Sequence, residues 1–269
     1  MKAETSTFQY RNNSWLVATK MKPGVRFRLF CFPYAGGGAA VFRNWQELLP
    51  GGVEVCAVQY PGRENRIHEP AFTDIFTLID RLTIVLSGEF NIPFAFFGHS
   101  MGAKIAFEIA RKLYAEKNIL PGSLFLSGCR APHLPEKRPL HQLERNDFIN
   151  ELHRFAGGTP EALLKNEELL EIFLPMLRAD FTADETYVYH QGETLNCPFY
   201  VFGAAHDQEA LFHELDAWSS YTKSTFRLKM FPGDHFFIKT SRRLILRTIS
   251  KIITNQIKPG KEERRNLNE

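Results

Sequence analysis

Short apolar runs alternate with segments of helical periodicity along most of the chain. Runs of about 4–8 apolar residues bounded by turn residues are typical of strands buried on both faces. The run over residues 93–98 is of this kind, and residues 122–128 are predicted to form another buried strand. Further strands are predicted over 26–32, 53–60, 197–205 and 226–233. Helical spacing predicts helices over 72–86, 101–116, 209–221 and 242–256, and a glycine-rich turn followed by a helix over 33–50. Alternating strands and helices predict an α/β fold with a mostly parallel sheet and helices on both faces.

One long segment, from about Leu134 to Gln191, interrupts this alternation because it has helical patterns and no strand pattern. Thr159 and Pro160 suit an N-cap and a first helical position. Pro175 is expected to kink or end the helix that follows. We interpret the segment as a helical lid inserted over the carboxyl edge of the sheet. Its apolar positions include Phe148, Leu152, Phe155 and Phe173. They could cover a chamber under the lid, but we expect most of these side chains to pack onto the sheet.

The two ends of the chain are polar. We expect residues 1–25 to form an N-terminal arm, residues 26–257 the folded domain with its lid at about 134–191, and residues 258–269 a flexible tail. The first residues have no apolar signal-peptide core, and no stretch approaches the roughly 20 apolar residues that span a bilayer. A cytoplasmic protein without a membrane partner is therefore expected.

Composition excludes several function classes. The 269 residues carry a net charge of +3, and no basic run is interleaved with aromatics, so a nucleic-acid partner is not expected. The four cysteines form no CxxC pair, which argues against zinc and predicts buried free thiols; they are Cys31, Cys56, Cys129 and Cys197.

The sequence GHSMG places Ser100 between Gly98 and Gly102, between a predicted buried strand and a predicted helix. This is the G-x-S-x-G pattern, in which a sharp strand-to-helix turn presents the serine as a nucleophile. Glycine is needed on both sides because the turn brings neighbouring backbone very close. Ser100 is therefore the candidate nucleophile, and an ordinary strand–helix turn is the alternative.

A nucleophilic serine needs a base, and the base needs an orienting carboxylate, in the chain order Ser, acid, His of the α/β-hydrolase fold. His235 follows the last predicted strand, where the base belongs. Asp207 follows the preceding strand and is the candidate acid, with Glu209 as the second choice. His99, next to the nucleophile, is expected to have a structural role instead.

Two backbone amides are expected to form an oxyanion hole. One is that of Met101, directly after the nucleophile, and the other lies in the early loop FPYAGGG. We assign the second to Ala35, with Gly36 left open. The same loop does not fit either glycine-rich phosphate-binding pattern.

Taken together, these residues resemble the type II thioesterases of nonribosomal peptide and polyketide synthesis, α/β-hydrolases similar to the medium-chain fatty acid synthase thioesterase. Across roughly residues 26 to 240 the matching motifs are LFCFPYAGGG, VQYPGRENR, FAFFGHSMGAKIAFEIA, FAGGTPEAL, LPMLRADF and GDHFF. The resemblance implies hydrolysis of acyl-thioesters on the phosphopantetheine arm of a transiently bound acyl or peptidyl carrier protein. It implies no metal and no organic cofactor, and a monomeric enzyme.

Three alternatives stay open at this point. The chain could be a releasing thioesterase of a fatty acid synthase, a general carboxylesterase, or an inactive hydrolase fold that serves only as a binding partner.

Overall fold

A computed structural model describes residues 8–10, 14–19, 24–155, 157 and 165–257. Its strands are β1 (Phe8–Tyr10), β2 (Leu16–Thr19), β3 (Phe27–Phe32), β4 (Val53–Val58), β5 (Phe94–His99), β6 (Leu124–Ser127), β7 (Phe199–Ala204) and β8 (Phe226–Phe231). They form one sheet in the order β1-β2-β4-β3-β5-β6-β7-β8. Every pair from β4 to β8 is parallel, and the pairs β1–β2 and β2–β4 are antiparallel. The predicted mostly parallel α/β sheet is confirmed.

Burial explains why the central strands lack polar alternation. Every residue of β3, β4 and β5 is buried, as expected for strands covered on both faces. Strand β8 lies at the sheet edge and alternates instead, with Arg227 and Lys229 exposed. Charged side chains on an edge strand discourage pairing with another chain.

Helices cover both faces of the sheet. They are α1 (Ile75–Leu86), α2 (Met101–Lys117), α3 (Arg145–Leu152), α4 (Glu167–Glu185), α5 (Phe212–Asp216), α6 (Phe237–Thr240) and α7 (Arg242–Ile257). Apolar residues of α1 and α2 pack into one core cluster, and those of α7 pack into the cluster on the other face. Helix α1 begins after Asp74, whose side chain accepts a hydrogen bond from Thr77 N–H at 2.7 Å. Among the described helices, none is both long and apolar enough to cross a membrane.

The sheet extends into the segment for which we predict only an arm. Strands β1 and β2 both lie within residues 1–25, and Leu16 pairs with Val58 of β4. Trp15 and Leu16 are buried. The prediction of an arm is therefore incomplete, because strands of three and four residues are too short to give a recognisable alternation. The predicted tail, 258–269, lies outside the described residues.

The prediction of one regular helix within residues 33–50 is wrong. The chain forms two short 3-10 helices there, Ala39–Phe42 and Gln46–Leu48. Asn44 lies between them with a φ of 66°, a left-handed conformation that ends helical geometry. Phe42 and Trp45 are nevertheless buried, so the segment still covers its face of the sheet.

The predicted lid contains α3, a 3-10 turn (His153–Phe155) and α4. It has a small core of its own, built from Leu140, Phe148, Leu152, Leu170, Met176, Leu177 and Phe181. Helix α4 continues through Pro175, so of the two effects expected of this proline, a kink or an end of the helix, the end does not occur. Proline removes one intrahelical hydrogen bond, and burial of the neighbouring Met176 and Leu177 offsets that loss. Thr159 and Pro160 lie outside the described residues.

Candidate active site

Ser100 occupies a sharp turn between the end of β5 and the start of α2. Its φ of 53° and ψ of −123° are unfavourable for a residue with a side chain. A Cβ atom on Gly98 would lie 2.1 Å from the carbonyl oxygen of Gly102, and one on Gly102 would lie 2.1 Å from that of Phe32. Only glycine allows these approaches, so the two glycines bring the start of α2 against β5 and β3 and fix the strained turn.

The structure brings the three predicted side chains together at the carboxyl edge of the sheet. His235 follows β8, and its Nε2 lies 3.2 Å from Ser100 Oγ. Its Nδ1 lies 3.1 and 3.0 Å from the two carboxylate oxygens of Asp207, which follows β7. A carboxylate only accepts, so Nδ1 carries the proton and Nε2 is free to accept the Ser100 hydroxyl proton. Asp207 in turn accepts the backbone N–H of Glu209 at 2.8 Å.

The surroundings of His235 favour its charged form. Burial alone lowers the pKa of a histidine, but the charge and hydrogen bond of Asp207, with smaller contributions from Glu209 and Asp184, raise the pKa of His235 above its ordinary 6.5. An imidazolium formed by taking a proton from Ser100 is thus stabilised by the adjacent carboxylate.

The rival carboxylates have other contacts. The carboxylate of Glu209 lies 3.6 Å from the guanidinium of Arg138. Asp234 accepts the backbone N–H of Phe236 at 2.9 Å and so stabilises the turn that carries His235. Asp207 is the carboxylate that contacts the imidazole of His235.

His99 has a contact that sequence reasoning missed. Its ring is completely buried, with Nδ1 2.9 Å from Ser127 Oγ and Nε2 2.9 Å from the carbonyl oxygen of His235. Burial, then the nearby His235, lower the pKa of His99 well below 6.5, so the ring is neutral. Nothing in the GHSMG pattern signals these partners, because they lie on other strands and loops.

The early glycine-rich loop forms a tight turn beside Ser100. Gly37 N–H donates to the Tyr34 carbonyl at 2.8 Å, and Gly36 has the positive φ, 79°, that the third residue of a type II turn needs. Gly36 N–H donates to the Asp180 carboxylate at 2.7 Å, so this amide is already engaged. Ala35 lines the same cavity as Ser100, which favours it over Gly36 as an oxyanion donor.

Met101 is the first residue of α2, so its amide belongs to the helix end whose N–H groups have no intrahelical acceptor. Such an end attracts negative charge. The two candidate donors therefore lie on the two backbone segments that flank Ser100.

The cavity at Ser100 and His235 combines aromatic and charged walls. Aromatic side chains of the wall are Tyr34, Phe155, Phe181 and Phe236. Charged ones include Lys104, Arg130, Glu136 and Asp184. Of the apolar lid residues that could cover a chamber, Phe155 lines this cavity, whereas Phe148 and Leu152 lie in the core of the lid itself rather than in the clusters on the sheet. Phe181 lines it as well and was not among the predicted positions.

Within the described residues, no group of three or more His, Cys, Asp or Glu side chains is placed to hold a metal ion. The four cysteines are free and buried, as the sequence predicts.

The thioesterase domain family matches residues 27–253. The chain belongs to the thioesterase domain family. The resemblance to thioesterases inferred from the sequence motifs is thereby confirmed, and the match spans the sheet from β3 onwards together with the predicted lid.

Family members of known pathway are similar over most of their length. The gramicidin S biosynthesis protein GrsT of Aneurinibacillus migulanus is 43% identical over 88% of this chain and 92% of its own. A relative named linear gramicidin dehydrogenase LgrE, of Brevibacillus parabrevis, is 41% identical over 90% of this chain and 94% of its own. The solved structure of RedJ, a thioesterase of the prodiginine biosynthetic pathway in Streptomyces coelicolor, matches with a TM-score of 0.79 and 37% identity over 84% of this chain and 85% of its own.

Proposed function

We propose that this protein is a serine thioesterase that hydrolyses acyl-thioesters on the phosphopantetheine arm of carrier proteins. Its task is the removal of aberrant acyl groups during nonribosomal peptide or polyketide synthesis. The observation that carries the proposal is the continuous line of contacts from Ser100 through His235 to Asp207, in a chain of the thioesterase domain family.

The geometry supports a two-step reaction. Ser100 Oγ attacks the thioester carbonyl carbon as its proton passes to His235 Nε2, and Asp207 stabilises the resulting imidazolium. The amides of Ala35 and Met101 hold the negative oxygen of the tetrahedral intermediate. The C–S bond then breaks, and His235 donates its proton to the departing thiolate.

The second step regenerates the enzyme. A water molecule attacks the acyl-Ser100 ester while His235 takes one of its protons. A second tetrahedral intermediate uses the same two amides. Its collapse breaks the ester bond, His235 returns the proton to Ser100 Oγ, and the acyl group leaves as a carboxylic acid.

The relatives support a carrier-bound substrate. GrsT is named for gramicidin S biosynthesis and RedJ is a thioesterase of a biosynthetic pathway. We infer that the partner here is a carrier protein that docks transiently, and that the enzyme works as a monomer in the cytoplasm. Four buried free cysteines suit a reducing compartment.

The name of LgrE suggests a second chemistry, hydride transfer. A nicotinamide enzyme of α/β class carries the pattern G-x-G-x-x-G after its first strand. The corresponding loop here reads PYAGGGAAVF, which does not fit that pattern. The favoured function is therefore acyl transfer, and an assay for NADPH oxidation would give no signal.

One comparison of substrates tests the proposal against its alternatives. Wild type and Ser100→Ala are assayed with acyl-pantetheines of increasing chain length and with nitrophenyl esters of the same acyl groups. We expect thioesters to be preferred and the serine variant to lose turnover. A strong preference for oxygen esters would indicate a carboxylesterase, and a sharp optimum at medium chain length would indicate fatty acid release. Unchanged turnover by Ser100→Ala would exclude the proposed chemistry.

A further inference from the structure

Asp180 of helix α4 connects the predicted lid to the loop beside the nucleophile. The residue is 4% exposed, and one carboxylate oxygen accepts Gly36 N–H at 2.7 Å. Gly36 belongs to the turn of residues 34–37, here called the oxyanion loop, which contains the candidate donor Ala35. A single carboxylate thus links a helix 144 residues away in sequence to the backbone that faces Ser100.

Arg63 binds the same carboxylate, and one of its nitrogens donates to the oxygen that accepts Gly36 N–H. Its two terminal nitrogens lie 2.5 and 2.7 Å from the two oxygens of Asp180, a bidentate arrangement, and the guanidinium is 3% exposed. Arg63 also donates to the Gly37 carbonyl at 3.1 Å. The oxyanion loop is therefore held at two peptide groups, at the N–H of Gly36 through Asp180 and at the carbonyl of Gly37 through Arg63.

Apolar contacts seat α4 on the same two segments. A Cβ atom on Gly36 would lie 2.5 Å from Leu177 Cδ2, so the helix packs directly against the glycine of the turn. Likewise, a Cβ atom on Gly62 would lie 3.2 Å from Met176 Cγ. These contacts bring the helix close but do not set the direction of a peptide N–H.

We propose that Asp180 is a positioning residue that fixes the oxyanion loop through Gly36 N–H, with Arg63 holding the carboxylate in place. Because Ala35 immediately precedes Gly36 in the same tight turn, the hydrogen bond to Asp180 fixes the peptide plane on which the orientation of the Ala35 amide depends. This inference rests on the proposed acyl transfer at Ser100.

A contribution to stability does not by itself explain why the buried Arg63–Asp180 pair is present. A buried pair is often replaceable by apolar residues with little loss of stability, because removing both charges from water is costly. Orientation is a stronger reason, since a donor displaced by about 1 Å in an active site costs roughly 10²-fold in rate. The Arg63–Asp180 pair supplies directed contacts that apolar side chains cannot.

The first test compares Asp180→Asn with a variant of another buried ion pair, which lies at the amino ends of strands β3 and β4. Glu54 of β4 lies 3.1 Å from Arg28 Nε of β3 and is 3% exposed, so Glu54→Gln is the matched control. We measure kcat, KM and the affinity for two acyl analogues. One is a trifluoromethyl ketone, which forms an oxyanion with Ser100, and the other is an unreactive thioether.

We expect Asp180→Asn to lower kcat by about 10–10²-fold and to weaken the binding of the trifluoromethyl ketone to a similar extent. The KM and the affinity for the thioether should be nearly unchanged. Glu54→Gln should lose stability but keep the wild-type kcat and the wild-type affinity for the trifluoromethyl ketone. If Asp180→Asn loses stability but behaves like Glu54→Gln in kinetics, the positioning role is wrong. Should Asp180→Asn fail to fold, Arg63→Lys replaces it in the same assays, because lysine keeps the charge but not the bidentate fork.

A double-mutant cycle with Ala35→Pro gives the second test. Proline suits the second position of a type II turn and has no N–H, so it removes the proposed donor while preserving the turn. We expect a loss of about 10²–10³ in kcat from Ala35→Pro, and little further loss when Asp180→Asn is added. If the loss of kcat in the double variant equals the product of the two single-variant losses, the inference is wrong. If wild type fails to hydrolyse thioesters at all, the proposed function fails first.

Discussion

His99 Nε2 donates a hydrogen bond to the carbonyl oxygen of His235 at 2.9 Å. The residue before the nucleophile is thus bonded to the backbone of the residue that contacts the nucleophile. The other ring nitrogen accepts from Ser127 Oγ at 2.9 Å, so the ring joins three segments at the carboxyl edge of the sheet. A neutral ring with Nε2 protonated satisfies both partners.

Two replacements of His99 test its two hydrogen bonds separately. Glutamine places an amide nitrogen near the position of Nε2, whereas asparagine reaches only the position of Nδ1. We expect His99→Asn to leave the buried His235 carbonyl without a donor and to cost about 1–3 kcal/mol of unfolding free energy, with a lower kcat. Urea denaturation and steady-state kinetics measure both. His99→Gln should lose less of each, and equal losses would show that the contact with His235 has no separate effect.

Asp207→Asn tests the assignment of the acid. The change removes the charge beside His235 Nδ1 but keeps the side-chain shape, and loss of such a carboxylate costs about 10⁴-fold in kcat in other serine hydrolases. Glu209→Gln is the matched control, because Glu209 is the other carboxylate after β7 and its carboxylate lies against Arg138. Glu209→Gln should lose far less kcat than Asp207→Asn. A Glu209→Gln variant as impaired as Asp207→Asn would reverse the assignment.

The pH dependence of kcat/KM reports the ionisation of His235. The imidazole must be neutral to accept the serine proton, so kcat/KM should rise with pH and level off above the pKa of His235. Because Asp207 raises that pKa above 6.5, the midpoint of the rise should lie above pH 6.5. In Asp207→Asn the carboxylate at residue 207 no longer offsets the effect of burial, so the pKa of His235 should fall. The midpoint of the remaining kcat/KM profile should then lie at a lower pH than in wild type. An unshifted midpoint would mean that another group controls the profile.

The turn at Ser100 makes a steric prediction. In Gly98→Ala the new Cβ would meet the Gly102 carbonyl at 2.1 Å, a backbone atom that cannot move without displacing α2. We expect a loss of about 3 kcal/mol or more of unfolding free energy together with loss of turnover. Gly88→Ala serves as control, since no atom lies within 4 Å of its added Cβ. Thermal denaturation that leaves Gly98→Ala as stable as wild type would contradict the close approach.

The sequence predicts the parts of the molecule that depend on local pattern. Predominantly apolar runs identify β3 to β7, since both of their faces are covered. The spacing of Gly98 and Gly102 identifies the turn at Ser100, because it reflects a steric need within five residues. Chain order identifies Asp207 and His235 as candidates, since each follows a strand of the parallel sheet.

Contacts between distant segments are beyond such patterns. Asp180 lies within the motif LPMLRADF, yet nothing in the motif reveals its partners, which are 144 and 117 residues away. The same holds for His99 and His235, 136 residues apart. The antiparallel strands β1 and β2 escape detection for a different reason, because they are too short to show a period.

Intact-mass measurement of acylated carrier proteins detects the proposed thioester hydrolysis on the proposed substrate itself. Carrier proteins loaded with several acyl groups are incubated with wild type or with Ser100→Ala, and the mass of the acyl group on each phosphopantetheine arm is followed over time. We expect wild type to remove the acyl mass and to leave the free thiol arm, while the variant leaves the carrier loaded. Equal deacylation by wild type and Ser100→Ala, or none by wild type, would contradict the proposal.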